Sequence, residues 1–313
     1  MGWRRLLLIG PPEDRLAERI QAQEPALEIE QRSAREVRPE DLARAEMLLT
    51  FVLPEAAPEQ LEHLRWIQST GAGVDRIVNH PGLFADTLVT RVVGVFGERM
   101  AEYVLSRALF LTQDLPGLIR DQAKRRWRPF APRRLSGLRT VVAGVGEIGG
   151  EIARALAAKG AEVIGVNTSG QPVEGLARVE PAARLDELLP GCDLLVLVLP
   201  STPATRRLID RRRLSLLPQG AWLINVGRGA LLDEAALIAS LEAGRLGAAC
   251  LDVFEQEPLP EESPLWSLPN VLISPHLAGL TTPEEAAGAF IENFRRLEEG
   301  RQPLGLVDRR SGY

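Results

Sequence analysis

The sequence predicts an α/β protein built from two doubly wound, parallel-sheet domains. Three observations carry this. The chain has 313 residues, too many for one ordinary domain and suited to two of about 150. Short apolar runs alternate with polar, helix-like stretches through the first third, and the alternation resumes at Leu138. Leu194–Leu199 is an unbroken apolar run, as expected of a central parallel strand covered on both faces.

The first region opens with a buried strand at Arg5–Ile9. Its basic start mimics a secretory leader, but Gly10-Pro11-Pro12 stops the apolar run short of the roughly 7 to 15 residues a leader needs. Further strands are expected at Leu27–Gln31, Met47–Phe51, Trp66–Ser69 and Leu88–Thr90. Helices are expected at Asp14–Gln23 and Pro58–His63. Glu98 to about Gln113 reads as a longer helix, with Ala101, Val104, Leu105, Ala108 and Leu111 on one face.

Lys124 to Arg134 is a basic, proline-containing connector with Trp127 and Phe130 inside it. The formal charge of the whole chain is 37 − 42 = −5, so one basic run makes a poor nucleic-acid footprint and is read as a solvated or subunit-contacting connector. With 45% hydrophobic and 25% charged residues the composition is that of a soluble globular protein. No apolar stretch is long enough to cross a membrane.

The second region is expected to hold strands at Thr140–Ala143, Glu162–Val166, Leu194–Leu199, Ala221–Asn225, Gly247–Asp252 and Val271–Ser274. A helix at Glu147–Lys159 is ended by Gly160. Asp233 caps a helix running to about Ala243, with Gly244 behind it. Thr282-Pro283-Glu284-Glu285 is a capping box with proline at the first helical position, opening a last helix to about Glu299. Cys192 and Cys250 lie far apart among apolar residues without metal-like or paired spacing, and read as buried reduced thiols of a cytosolic protein.

Four ordered signals carry chemistry. Gly144-Val145-Gly146-Glu147-Ile148-Gly149 follows a strand and opens a helix, the context of a dinucleotide fingerprint. Gly144 suits the tight turn, Gly146 the approach of a pyrophosphate, and Gly149 close helix–strand packing. Asn225-Val226-Gly227-Arg228-Gly229 ends a strand, where Arg228 can aim a bidentate fork at a carboxylate. Among the three histidines, His276 in Ser274-Pro275-His276 alone ends a strand at the ligand-binding edge, placed for acid–base work. Glu257, in the run after Asp252, can orient that imidazole, with Glu255 and Asp252 as rival partners.

Two further turns matter. Thr70-Gly71-Ala72-Gly73-Val74-Asp75 follows a strand, and its small residues leave backbone amides for an anion. At the end of the second strand of the second region, a carboxylate would select the ribose diol of NAD. Asn167-Thr168-Ser169 stands there instead, offering hydrogen bonds to a 2′-phosphate without repelling it. NADP(H) is therefore favoured over NAD(H), although no arginine adjoins the turn.

Together these residues resemble the D-isomer-specific 2-hydroxyacid dehydrogenase family, over nearly the whole chain. The resemblance also rests on Leu199-Pro200-Ser201-Thr202 with Thr205, and on the run to Gly279. Phe96–Tyr103 and the Asn-Thr-Ser turn are similar to the glyoxylate/hydroxypyruvate reductase A-like branch. The resemblance implies reduction of small 2-oxo acids, glyoxylate and hydroxypyruvate above all, to D-2-hydroxy acids with NAD(P)H. It implies that Arg228 binds the substrate carboxylate and polarises its carbonyl, that His276 is general acid and base, and that Glu257 keeps His276 protonated. Amides of Ala72, Gly73 and Val74 would grip the carboxylate. Val145 to Ile148 would cradle the pyrophosphate, and Asp252 would meet the nicotinamide amide. Gly144, Gly149, Leu199, Pro200, Thr205, Asn225, Val226, Gly227, His276 and Gly279 complete the implied coenzyme site.

The resemblance further implies a Rossmann coenzyme domain, residues 99–282, inserted into a flavodoxin-like substrate domain, residues 1–98 and 283–313, with the active site in the cleft. Homodimers are the common assembly. Phosphoglycerate dehydrogenases and non-catalytic, nucleotide-sensing corepressors share the family pattern and are the alternative readings.

Overall fold

The structure, a computed structural model, describes residues 2–309. In chain order the strands are β1 (Arg5–Ile9), β2 (Glu28–Arg32), β3 (Met47–Thr50), β4 (Trp66–Ser69), β5 (Leu88–Thr90), β6 (Arg139–Ala143), β7 (Glu162–Asn167), β8 (Val179–Pro181), β9 (Leu194–Leu197), β10 (Ala221–Asn225), β11 (Leu246–Leu251) and β12 (Val271–Ile273). The helices are α1 (Leu16–Gln23), α2 (Pro39–Arg44), α3 (Asp75–Val78), α4 (Gly97–Thr112), α5 (Leu115–Ala123), α6 (Glu147–Ala158), α7 (Leu185–Leu188), α8 (Arg211–Leu216), α9 (Glu234–Glu242) and α10 (Pro283–Glu298). The chain divides into two compact units. One takes the residues up to Phe96 and those from Leu280 on; the other is Gly97–Gly279.

The first unit holds a five-stranded parallel sheet in the order β2-β1-β3-β4-β5. Alternate side chains leave its two faces, as the pleat requires. Leu6, Leu8, Met47, Leu49 and Trp66 pack with Phe290, Ile291, Phe294 and Leu297 of α10. Leu7, Ile9, Leu48, Ile67 and Val89 pack on the other face with Leu42, Leu61, Ile77 and Val307. Burial on both faces explains why β1 and β3 read as unbroken apolar runs. Below α10 the polar groups are matched as well. Trp66 Nε1 donates to Thr90 Oγ1 (2.8 Å), which donates to Gln68 Oε1 (2.7 Å), which also accepts from Asn293 Nδ2 (2.9 Å).

The second unit holds a seven-stranded parallel sheet in the order β12-β11-β10-β9-β6-β7-β8. The order reverses beside β6, which pairs with β7 on one side and β9 on the other. Such a switch point opens a crevice at the carboxyl edge of the sheet. Because every strand is parallel, the loops after β6, β7, β9, β10, β11 and β12 all leave at that edge.

Some elements differ from expectation. Pro58–Leu61 is a short 3-10 turn and not a helix to His63. The expected helix at Asp14 starts only at Leu16, because Pro12–Asp14 forms a 3-10 turn and Arg15 adopts φ 51°. The strand expected at Leu27 lies one residue later, at Glu28–Arg32. The run Leu194–Leu199 pairs only to Leu197, and Pro200 beyond it has no N–H to continue a ladder. Thr282 accepts from Glu285 N (3.2 Å) and Glu285 Oε2 from Thr282 N (2.8 Å), the reciprocal cap that the sequence expects for α10.

Candidate active site

The coenzyme turn follows β6 at the switch point. Gly144 has φ 107°, a conformation open to glycine, and a Cβ there would lie 2.9 Å from the Val198 carbonyl. A Cβ on Gly149 would lie 1.9 Å from Gly144 O, so α6 packs directly on the turn. Gly146 is the N-cap of α6 with no side-chain cap, and a Cβ there would meet nothing within 4 Å. An uncapped helix start with open space before it suits an anion, since the first amides of a helix lack intrahelical partners. Val145 itself is buried, and its N–H pairs with Val166 O (3.1 Å).

After β7, Asn167 orders its own turn. Its Oδ1 accepts from Gly170 N (2.6 Å) and its Nδ2 donates to Gln171 O (2.9 Å). Thr168 and Ser169 are exposed at the tip. After β9, the loop from Leu199 and Pro200 is closed by Thr205, whose hydroxyl donates to Pro200 O (2.6 Å) and accepts from Thr202 N (2.8 Å).

After β10, fully buried Asn225 ties the loop that presents Arg228. Its Oδ1 accepts from Gly227 N (3.1 Å) and its Nδ2 donates to Arg228 O (2.9 Å). The loop is wedged tightly. A Cβ on Gly227 would reach 2.7 Å from Leu199 O, and one on Gly229 would overlap the Phe254 carbonyl. Arg228, half-buried between them, donates from Nη1 to Gly227 O (2.7 Å).

Three carboxylates compete for His276 in the sequence, and the structure decides among them. Glu257 Oε2 lies 2.9 Å from His276 Nδ1, and its Oε1 accepts from Phe254 N (3.1 Å). Glu255 faces Arg207 at 3.6 Å. Asp252 is 1% exposed, and its carboxylate accepts from Ser274 Oγ (2.6 Å), Leu277 N (3.0 Å) and Ala278 N (2.9 Å). It thus serves the loop that carries His276. His276 has φ 52°, an uncommon left-handed conformation for a residue with a Cβ. Strain of this kind collects where a side chain must be aimed.

In the first unit, the turn after β4 is held by Ser69. Its Oγ accepts from Gly71 N (3.2 Å) and donates to Gly73 O (3.3 Å), while Arg91 Nη1 donates to Ala72 O (3.4 Å). Val74 then opens the short helix α3. The second unit therefore gathers Arg228, Glu257, His276 and the dinucleotide turn on one sheet edge. Ala72, Gly73 and Val74 occupy the carboxyl end of β4 in the other sheet.

A model of the D-isomer specific 2-hydroxyacid dehydrogenase NAD-binding domain matches residues 105–278. Glyoxylate/hydroxypyruvate reductase A of Serratia proteamaculans (strain 568) is 34% identical over 291 residues, covering 90% of this chain and 92% of the relative.

The chain belongs to the D-isomer specific 2-hydroxyacid dehydrogenase family.

Solved structures of family members match throughout. A D-isomer specific 2-hydroxyacid dehydrogenase from Xanthobacter autotrophicus Py2, in complex with NADPH and MES, has a TM-score of 0.88 at 36% identity, covering 100% of both chains. An NADPH-dependent glyoxylate/hydroxypyruvate reductase from Sinorhizobium meliloti, in complex with NADP and sulfate, has a TM-score of 0.88 at 30% identity, covering 99% of this chain and 100% of that one. As a 2-hydroxyacid dehydrogenase with an NAD-binding domain, the protein is an NAD(P)-dependent oxidoreductase.

The basic connector of this dehydrogenase is partly neutralised. Arg128 pairs with Asp121 (2.5 Å) and Asp114 (2.7 Å), and Arg133 with Asp193 (2.9 Å). Trp127, just before Arg128, is 95% exposed. No helix among the described residues is long and apolar enough to cross a membrane.

Proposed function

We propose that this dehydrogenase reduces small 2-oxo acids, glyoxylate and hydroxypyruvate foremost, to D-2-hydroxy acids. The observation that carries the reading is the imidazole of His276 set 2.9 Å from the Glu257 carboxylate, on the sheet edge that also presents Arg228. The curated relatives at 33% and 34% identity are glyoxylate/hydroxypyruvate reductases A, which supports the substrate class.

A bound dihydronicotinamide would supply a hydride for the carbonyl carbon. Gly144 to Gly149 would hold its pyrophosphate at the start of α6, and Thr168 and Ser169 would take a 2′-phosphate, which favours NADPH. Arg228 grips the substrate carboxylate and faces the carbonyl oxygen, where its charge stabilises the developing alkoxide. With Nδ1 directed at Glu257, His276 gives its proton to that oxygen from Nε2. Glu257 holds the ring in place through Nδ1.

Initial rates with glyoxylate and hydroxypyruvate, each with NADPH and NADH, test the reading. Oxidation of NADPH faster than NADH is expected. Faster use of NADH would overturn the coenzyme preference alone, and no turnover of either acid would overturn the substrate class. His276→Ala should lower kcat by about 10²- to 10⁴-fold with coenzyme affinity nearly unchanged; full activity in that variant would refute the acid–base role.

The assembly we infer is a homodimer formed through the second unit. Its exposed Leu118, Ile119 and Trp127 support this. Sedimentation equilibrium at micromolar concentration should give twice the chain mass, and a monomer there would reject it.

A further inference from the structure

Beside the groups assigned to the reaction, the second unit buries a chain of polar side chains that ends on the His276 loop. Tyr103, Ser274 and Asp252 are 7%, 6% and 1% exposed. Ser274 Oγ lies 2.6 Å from Asp252 Oδ1, and the Tyr103 hydroxyl is hydrogen-bonded to Ser274 Oγ. A carboxylate only accepts, so the Ser274 proton is directed to Asp252. Ser274 has no second proton, and Tyr103 must donate to it. Burial pushes the Tyr103 phenol up, which keeps that proton in place. The Arg107 guanidinium lies 3.6 Å from the centre of the Tyr103 ring and packs on its face.

At the other end, Asp252 collects the backbone around His276. Its carbonyl accepts from His276 N (2.9 Å), and its carboxylate accepts from Leu277 N (3.0 Å) and Ala278 N (2.9 Å). Three successive amides thus end on one residue. His276 stands in a left-handed conformation at the start of this segment, so the direction of its ring depends on the segment staying fixed.

We propose that Tyr103 is a positioning residue for His276, acting through Ser274 and Asp252 to fix the loop that aims the imidazole. The inference rests on the reductase reading for its kinetic consequence, and on the geometry alone for its structural one. A Tyr103 that merely filled the core would alter stability and leave turnover and loop exchange as they are.

The test uses the full chain with Tyr103→Phe, Ser274→Ala and the double variant, assayed with glyoxylate and NADPH. For Tyr103→Phe, kcat should fall about five- to tenfold with KM for both reactants within about twofold. The double variant should lose no more than Ser274→Ala alone, because both changes cut one chain. Hydrogen exchange of the peptide holding Leu277 and Ala278 should quicken about tenfold in Tyr103→Phe. An unchanged kcat, or losses that multiply in the double variant, overturns the proposal. If the unaltered protein turns over neither glyoxylate nor hydroxypyruvate, the reductase reading fails separately. Exchange then decides the positioning role, and unchanged exchange overturns it.

Discussion

Each side chain at the sheet edge gains its role from the backbone that holds it. Glu257 is fixed by the Phe254 amide on one oxygen and faces His276 with the other. Glu257→Gln keeps the shape and removes the charge; kcat should drop about tenfold or more, and stopped-flow turnover at saturating coenzyme checks it. The cysteines make the opposite case. Burial pushes Cys192 and Cys250 up to about 12, so neither presents a thiolate near neutral pH. A thiol reagent should label neither in the native protein and both in urea. The placement of Arg228 and His276 at the carboxyl edge of the sheet was legible in the sequence because each follows a strand end. The partner of His276 was legible through the family resemblance, which pointed to Glu257, and not from the residues alone. Asp252, Glu255 and Glu257 lie within one loop, and only the path of that loop separates them. Tyr103 left a fainter signal: a hydroxyl on an apolar helix face, which needs a buried partner somewhere.

At the scale of elements, capping chemistry explains both what was readable and what was not. Asp233 and Thr282 cap α9 and α10 as their spacing announced, accepting from Ala236 N (2.9 Å) and Glu285 N (3.2 Å). Helix α5 escaped notice because its N-cap, Asp114, adopts φ 47° straight after α4 and Pro116 and Gly117 stand in its first turn. The short helix α2 was missed too, although Asp41 secures it. Its carboxylate takes the Arg38 N–H (2.9 Å) and guanidinium (2.8 Å). The Arg38 hydrogen bond holds Asp41 down at about 2, against an ordinary 3.8. A carboxyl lowered on folding stabilises the native state above its unfolded pKa, and the contribution is lost as pH falls through the folded value. The melting temperature should therefore fall between about pH 4 and pH 2, and less so in Asp41→Asn, as calorimetry across that window would show. In the dinucleotide turn, Gly149→Ala places a Cβ 1.9 Å from Gly144 O. Coenzyme binding should be lost before the fold is, measured by titration of nucleotide fluorescence.

For the molecule as a whole, the two sheets were legible as two alternating regions, since parallel strands buried on both faces leave unmistakable apolar runs. The return of the chain was implied by the family resemblance, and from the residues alone it showed only as one well-capped helix. Its weight in the fold comes from packing that no local pattern records. Phe290 is 0% exposed and stacks on Trp66 with ring centres 4.9 Å apart. Phe290→Ala should cost about 3–5 kcal/mol, read from urea unfolding followed by tryptophan emission. Limited proteolysis of that variant should leave a resistant fragment near residues 97–279, because the second unit is one unbroken stretch of chain.

That arrangement also sets an order on synthesis. The strands of the first sheet leave the ribosome before the second unit, but the helix α10 that covers one face of them follows it. The second unit is complete in between and can fold while translation continues. Until α10 emerges, Leu6, Leu8, Met47 and Trp66 lack the cover it gives them, and the nascent protein carries an open apolar sheet while the second unit is made. A chaperone that binds exposed apolar surface should hold ribosome-stalled chains ending before Pro283 and release those that extend well past Glu298.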